Sequence, residues 1–480
     1  MSAGEDFVAL VLAAGQGKRM RSRLPKVVHP LLGRPMLCYP VDAALAAGAS
    51  QVVCVIGHGA DEVSRVLAQR YGERVRTALQ AEQRGTGDAA RCGQALVPEF
   101  QGYLVILYGD SALITSHALR SLLDHARAES AAVALLTSTL SDATGYGRII
   151  RDAHGAITRI QEQKDCSQAE AAIQEFNPGV YAIRASFFRD AITRLTPNNA
   201  QGELYLTDLV ALAAESGKSA GASGGVAGLP WDVAELHGVN DREELAEREK
   251  DLALRIAREH MERGVTLRDP ARVRIEPGVT IEPDAVIGVD VELRGTTHIA
   301  TGATIDVGCV LIDTDVGEGA QLLPYCVSTQ SVIGGGSRVG PFSHLRPGSE
   351  LDRDVHIGNF VETKATKVGQ GSKANHLAYL GNGVIGRGVN VGAGTIFCNY
   401  DGYNKFTTTL EDGSFIGSDS QLIAPVTIGK NAYVGTGSTI SQDVPEDALA
   451  IGRARQVNKP GLGAKLRARL KAMKEAAKKK

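Results

Sequence analysis

From residue 281 the sequence repeats with a period of six. Aliphatic residues stand at Ile281, Ile287, Leu293, Ile299, Ile305 and Leu311 without a slip. The phase returns at Ile333, Val339, Leu345, Leu351 and Ile357, and again at Ile416, Leu422, Ile428, Val434 and Ile440. Small residues often follow, as in Ile287-Gly288, Val339-Gly340 and Val434-Gly435. Three six-residue faces close one triangular coil, and each aliphatic side chain then points inward and stacks on the coil below. The pattern predicts a β-helix. It also accounts for the 55 glycines, most of whose excess lies beyond residue 270, because each coil needs regular turns. The repeat breaks around residues 364–384 and 398–415. Insertions into a solenoid are expected to project as loops from one face, a usual place for a binding site.

The first half has a different texture. Short β-branched runs at Val8–Ala13, Gln51–Ile56, Tyr103–Tyr108, Ala132–Thr137 and Gly179–Ile183 alternate with amphipathic stretches such as Met36–Ala47 and Ala60–Gln69. Strand and helix in alternation predict a mainly parallel, Rossmann-like sheet with helices on both faces. Ligands in such sheets sit at the carboxyl ends of the strands, which directs attention to the loops after residues 13 and 108. Residues Asp241 to Arg263 read as one helix, with Leu245, Leu252, Ile256 and Met261 as its apolar stripe and Gly264 to end it. The expected division is an α/β domain over 1–240, a connecting helix over 241–263, a β-helix over 264–455 and a basic tail over 456–480.

Several classes are argued against. A net charge of −2 and 43% apolar residues do not suit a disordered chain or a dedicated nucleic-acid binder. The seven cysteines are scattered with no metal-ligand spacing, so neither a disulfide nor a structural zinc is expected. The N-terminal run MSAGEDFVALVLAAGQGKRM lacks a basic start before a long apolar stretch, and no segment approaches the ~20 apolar residues of a membrane span. A cytoplasmic protein without a membrane or nucleic-acid partner is expected. The tail, rich in Lys, Arg and Ala, reads as a solvated helix or frayed end rather than a nucleic-acid arm.

The segment LAAGQGKRM follows a buried strand. Gly15 and Gly17 would let backbone amides approach a phosphate, with Lys18, Arg19 and Lys26 adding positive charge. A G-x-G loop alone equally fits a tight strand-to-helix turn; three neighbouring cations favour an anion. Asp110, in Tyr-Gly-Asp at a strand's carboxyl end, suits a hard cation held against phosphate oxygens, or else a helix N-cap. Asn240 has the same ambiguity, although the Asp241/Glu244 capping-box pattern would cap the helix without it.

Together with LPKVVH, LQAEQRGTGDA, GYGRI, NAQGELYLTD, GVN, HLRPGSEL, GNFVETK, SKANHLAYLG, VGAGTIFCNYDG and GSDSQLIAPVTIG, these segments carry a resemblance. From about residue 7 to about 455 the chain resembles the bacterial bifunctional N-acetylglucosamine-1-phosphate uridyltransferase / glucosamine-1-phosphate acetyltransferase family. The resemblance implies a nucleotidyltransferase domain followed by a left-handed parallel β-helix of hexapeptide repeats. It implies synthesis of UDP-N-acetylglucosamine, a precursor of cell wall and lipopolysaccharide. Acetyl-CoA acetylates glucosamine-1-phosphate, and UTP then uridylates N-acetylglucosamine-1-phosphate with release of pyrophosphate.

By that resemblance Leu12, Ala13, Ala14, Gly15, Lys26, Gln80, Gly85 and Thr86 hold UTP, Asp110 and Asn240 bind Mg2+, and Gly147, Glu162 and Asn177 contact the sugar phosphate. On the β-helix His376 is the general base; a histidine suits that task because its ordinary pKa of ~6.5 lies near working pH. Arg346 and Lys364 clamp the sugar phosphate, and Tyr379 and Asn390 orient the sugar. Ala393, Asn399, Tyr400, Ser418, Thr436 and Arg453 receive acetyl-CoA. Read without the family, His376 fits a surface residue and the two cations a solvated face. The chain departs from the family at Ser111-Ala112, where a hydrophobic residue and proline are usual, at Lys18 (threonine), at Asn382 (aspartate) and at Thr436 (alanine). A homotrimer is implied as well. Competing readings are a single-activity enzyme with a degenerate β-helix, a hexose-1-phosphate transferase of other specificity, and a non-catalytic scaffold.

Overall fold

The computed structural model describes residues 7–219 and 225–478. Residues 1–6 of the N-terminal run and 479–480 of the tail lie outside the described residues. The chain divides into two compact units, Met1–Ile256 and Ala257–Lys480.

The first unit is built on the strand Phe7–Ala13, buried along its whole length. Its alternate side chains feed two cores. Phe7, Ala9, Val11 and Ala13 enter one, and Val8, Leu10 and Leu12 the other. Burial on both faces explains why this strand reads as a continuous apolar run. It pairs in parallel with Gln51–Ile56 and with Tyr103–Tyr108, and the first of these pairs in parallel with Val75–Leu79. Beyond Tyr103–Tyr108 the direction reverses. Tyr181–Arg184 runs antiparallel between that strand and Val133–Thr139, and Glu175–Asn177 and Gly147–Arg151 continue antiparallel. The sheet thus has a parallel half, whose loops leave at one end, and a mixed half beside it. The helix Arg242–Glu262 was expected as a separate connector. The division between the units falls inside it, after Ile256.

The second unit is a solenoid of short parallel strands. Most strands pair with the one 17 or 18 residues on, as in Val286 with Thr304 and Thr304 with Gln321; across the 399–406 loop the spacing grows to 25, as in Asn390 with Phe415. Ile287, Leu293, Ile299, Ile305 and Leu311 are fully buried, so the six-residue period is the inward-facing file. The helix Leu462–Ala477 follows, with none of its residues buried.

The two expected insertions turn out differently. No loop projects at 364–384. His356–Lys364 and Lys373–Gly381 are nine-residue strands paired in register from His356↔Lys373 to Lys364↔Gly381. Ala374 stands where neighbouring coils carry Ile357 and Val391, and this small inward residue hides the period. Each strand bends through a residue of positive φ, Phe360 (59°) and Leu377 (44°), without a glycine to announce the corner. The second break does project. Residues 399–406 leave the coil as a loop closed by Phe406 N donating to Asn399 O at 2.9 Å and by a Tyr400–Lys405 bridge.

Candidate active sites

Parallel register brings the loops after Ala13 and Tyr108 together, because Leu12 is the partner of Tyr108. They open on a cleft of about 280 Å³ lined by Leu12, Ala13, Ala14, Gly15, Lys26, Gln80, Gly85, Thr86 and Asp110, among others. All eight residues expected to hold UTP therefore converge, with Asp110 beside them. The loop geometry demands small residues. Gly17 has φ 60°, and a Cβ there would lie 2.5 Å from Lys26 Cβ. Gly85 has φ 109°, and a Cβ would lie 2.5 Å from Leu204 O. Gln80 is buried and donates to Gly85 O (3.1 Å) and Asp88 Oδ2 (3.0 Å), which fixes that loop.

Lys26 forms an ion pair with Asp110, both side chains being under one-fifth exposed. The Asp110 turn is closed by Ser111 N donating to Tyr108 O at 3.1 Å, and Ala112 is fully buried. Ser111 and Ala112, where the resemblance implies a hydrophobic residue and proline, thus belong to an ordered, hydrogen-bonded turn. A Cβ at Gly238 would stand 3.7 Å from the Asp110 carboxylate, which brings the Gly238–Asn240 stretch towards it. Asp241 Oδ1 accepts from Glu243 N and Glu244 N, while Glu244 Oε2 accepts from Asn240 N at 2.6 Å. The cap therefore uses the backbone of Asn240, and the residue lines a cleft with Gly17, Lys18, Arg19 and Lys26. Among the described residues no cluster of three or more His, Cys, Asp or Glu could hold a metal; an aspartate with an amide oxygen is a smaller set.

Gly147 is the register partner of Asn177, and a Cβ on Gly147 would meet Glu162 Oε2 at 3.6 Å. The three expected sugar contacts are thus gathered on the mixed half of the sheet. Burial pushes the Glu162 carboxyl above the usual carboxylate range, with Asp208, Asp165 and Glu203 adding to the push and the Thr207 hydroxyl, 3.0 Å away, opposing it. Tyr108 stands between the groups. Burial raises its phenol, and Glu162 and Asp110 both contribute. Its ring leaves room only for glycine at position 179, where a Cβ would come within 2.0 Å. Tyr108, Gln83 (which donates to Ala14 O at 2.7 Å) and Glu203 line the same cleft and were not among the expected residues. Tyr108 lies in the Tyr-Gly-Asp motif itself, and that was the available signal.

On the solenoid the expected residues fall into two groups. His356–Ile357 pairs with one strand of the preceding coil and Glu362–Thr363 with the next, so the corner separates two faces. His376 heads a file along one corner. Leu377 O accepts from Gly394 N (2.7 Å), which adjoins Ala393; Ala393 O accepts from Asp419 N (2.6 Å), beside Ser418; Ser418 O accepts from Gly437 N (2.8 Å), beside Thr436. Arg453 Cδ ends the file, 3.8 Å from where a Gly437 Cβ would be. Asn390 lies on the same face, next to Lys373.

The second group gathers around a carboxylate and three cations. Arg346 donates to Glu362 Oε1 at 2.7 Å. The ammonium of Lys405 beside Lys364, with Arg346 near, holds Lys364 below the ordinary lysine range. A Cβ at Gly381 would sit 2.5 Å from the Tyr379 hydroxyl and 2.8 Å from Asn399 Nδ2. Asn382, at φ 53°, accepts from Asn399 Nδ2 at 2.8 Å, so this departure from aspartate keeps an acceptor in place. Tyr400 and Lys405 come from the projecting loop. Neither Lys405 nor Glu362 was expected: nothing in the immediate sequence marks Lys405, and Glu362 stands inside GNFVETK without a neighbour in sequence that pairs with it.

Comparisons with known proteins agree in both halves. The family described as Nucleotidyl transferase matches residues 8–226, and that described as Bacterial transferase hexapeptide (six repeats) matches residues 407–442. The chain is 56% identical over 479 residues to the Bifunctional protein GlmU of Sorangium cellulosum, covering 98% of each chain. It is 45% identical over 457 residues to the protein of that name from Pelobacter propionicus, covering 95% of this chain and 98% of the relative. For the Trichlorobacter lovleyi protein the identity is 47% over 453 residues, with 94% and 97% covered.

Proposed function

The chain belongs to the GlmU family of bifunctional enzymes, which make UDP-N-acetylglucosamine, and we propose which of its residues carry each of the two transfers. Acetyl transfer to glucosamine-1-phosphate comes first, and its product accepts the uridyl group from UTP.

In the first unit the sugar phosphate attacks the α-phosphorus of UTP, and pyrophosphate leaves. This reaction needs positioning and charge neutralisation more than a general base. Leu12, Ala13, Ala14, Gly15, Gln80, Gly85 and Thr86 hold the nucleotide, and Lys26 meets the phosphates as a point charge. Gly147, Glu162 and Asn177 hold the sugar, and Tyr108 bridges the two halves of the cleft. Asp110 and the Asn240 amide offer hard oxygen donors next to the cation-lined loop, a set that fits Mg2+ with its remaining positions left to phosphate and water. When bound, Mg2+ would neutralise phosphate charge. The observation that carries the proposal is the convergence of all eight nucleotide residues and Asp110 on one cleft.

On the solenoid Arg346, Lys364 and Lys405 form a cationic clamp for the sugar phosphate, with Tyr379 and Asn390 orienting the ring. His376 takes a proton from the substrate ammonium. The freed amine attacks the thioester carbonyl; the N–C bond forms and the C–S bond breaks, and of the two protons the nitrogen sheds one passes to the leaving thiolate and the other to solvent. Ala393, Asn399, Tyr400, Ser418, Thr436 and Arg453 bind acetyl-CoA, most of them along the file from His376.

The protein is a homotrimer in this reading. Support comes from a ridge of exposed apolar side chains along one corner of the solenoid, Tyr325, Phe342, Phe360 and Leu377, each at least half exposed. The three rings stack at 5.4 and 5.6 Å, a surface that a second copy could cover. A cytoplasmic location is in keeping with seven free cysteines and with the lack, among the described residues, of a helix long and apolar enough to cross a membrane. Activity tests the assignments. His376→Ala should abolish thiol release from acetyl-CoA and spare pyrophosphate release; loss of both in a folded variant would overturn them.

A further inference from the structure

His376 is not alone at its corner. Its Nδ1 lies 3.0 Å from Asn359 Oδ1, and the two residues are register partners in adjacent coils. That register is built in from below. A Cβ at Gly358 would stand 1.9 Å from the Asn375 carbonyl oxygen, so only glycine lets the coils close here. Buried Ser343 donates its hydroxyl to Gly358 O at 2.7 Å and steadies the same peptide. An amide oxygen can only accept a hydrogen bond, so the ring proton belongs on Nδ1. The lone pair is then on Nε2, as a proton acceptor requires.

We infer that Asn359 is a positioning residue for acetyl transfer, holding the His376 ring in the Nδ1–H tautomer with Nε2 free to take the substrate's proton. The inference rests on reading His376 as the base. The choice of amide over carboxylate has a consequence. A carboxylate at position 359 would favour the imidazolium, and a ring already protonated cannot accept another proton. The amide fixes orientation without trapping the ring in its charged form. Other charged or titratable groups face this corner from neighbouring coils. Arg338 and His356 line the same cleft as His376, Lys373 begins the ring's own strand, and Asp419 adjoins Ala393 in the direction of the file. Only Asn359 has a hydrogen bond to the ring among the described residues.

The test uses the full-length protein, with thiol release followed against pH and uridyl transfer as the control for folding. Asn359→Ala should lower kcat for acetyl transfer roughly 10- to 100-fold through misorientation of the base, with KM for acetyl-CoA little changed. Asn359→Asp should restore the rate at alkaline pH and move the acidic limb of the profile up by roughly one unit or more. In 15N-histidine spectra the wild-type His376 signal, identified by its loss in His376→Gln, should report Nδ1–H. A wild-type ring protonated on Nε2, or Asn359 variants with unaltered kcat and pH profile, would overturn the inference. Should Asn359→Ala not fold, the near-isosteric Asn359→Asp decides. Acetyl transfer surviving in His376→Ala would overturn the assignment of the base itself, whereas its loss there beside normal Asn359 variants would overturn only the role of Asn359.

Discussion

Lys26 and Asp110 balance each other's charge at the mouth of the nucleotide cleft. Removing the ammonium leaves a carboxylate beside the phosphates, so both a favourable contact and charge neutrality are lost. Lys26→Ala should lower kcat/KM for uridyl transfer by about 100-fold, the scale expected for one lost charged contact to a transition state, and leave acetyl transfer unchanged; parallel pyrophosphate and thiol assays would check this. At this scale the sequence was most legible where chemistry sits in a compact motif. The phosphate loop, Tyr-Gly-Asp and SKANHLAYLG each carry their candidate residues within a few positions of one another. It was least legible for partners made by register. Asn359 meets His376 across 17 residues, and Lys405 joins Lys364 only because the 399–406 loop leaves the coil. Nothing beside Lys405 marks it, and Asn359, although it lies within GNFVETK, is tied to His376 only by register.

Elements set how much strain and burial each position must bear. Gly85 combines a positive φ with a carbonyl oxygen 2.5 Å from where a Cβ would lie. Gly85→Ala should therefore destabilise the protein by about 1–3 kcal/mol and raise KM for UTP, as thermal melting and kinetics would measure. In the solenoid His298 bridges two coils, with Nδ1 2.9 Å from Asp315 Oδ1 and Nε2 3.3 Å from Glu282 Oε1. The hydrogen bond to Asp315 raises its pKa, and Glu282 adds to the rise. A raised histidine pKa contributes stability that is full below the unfolded value of ~6.5 and is lost as pH climbs through the folded value. The melting temperature of the wild type relative to His298→Gln should thus be higher at pH 6 than at pH 9. Because the ring is over one-third exposed, the effect should be small. The strands Gln51–Ile56 and Tyr103–Tyr108 have the bounds read from the sequence, since burial of all but one end residue of each leaves a continuous apolar run. The strand Lys373–Gly381 was not, since Ala374 interrupts the aliphatic file and Leu377 turns the corner without glycine.

For the whole molecule, the same chain carries two transfers on unrelated architectures. The order of reaction fixes their relation: the acetylated product of the solenoid is the acceptor in the nucleotide cleft. Nothing in either chemistry requires the groups of the other, so the activities should separate cleanly by mutation. The proposed trimer belongs to this scale too; light scattering on the purified protein should give about three times the chain mass of 50.6 kDa, and a stable monomer would leave the aromatic ridge without its proposed partner. The central claim, two independent active sites, is tested most directly by a split assay on Asp110→Ala and His376→Ala side by side. Thiol release would be followed from acetyl-CoA with glucosamine-1-phosphate, and pyrophosphate release from UTP with N-acetylglucosamine-1-phosphate and magnesium. The account predicts that Asp110→Ala loses pyrophosphate release alone and His376→Ala loses thiol release alone. Loss of both signals in either folded variant would contradict it.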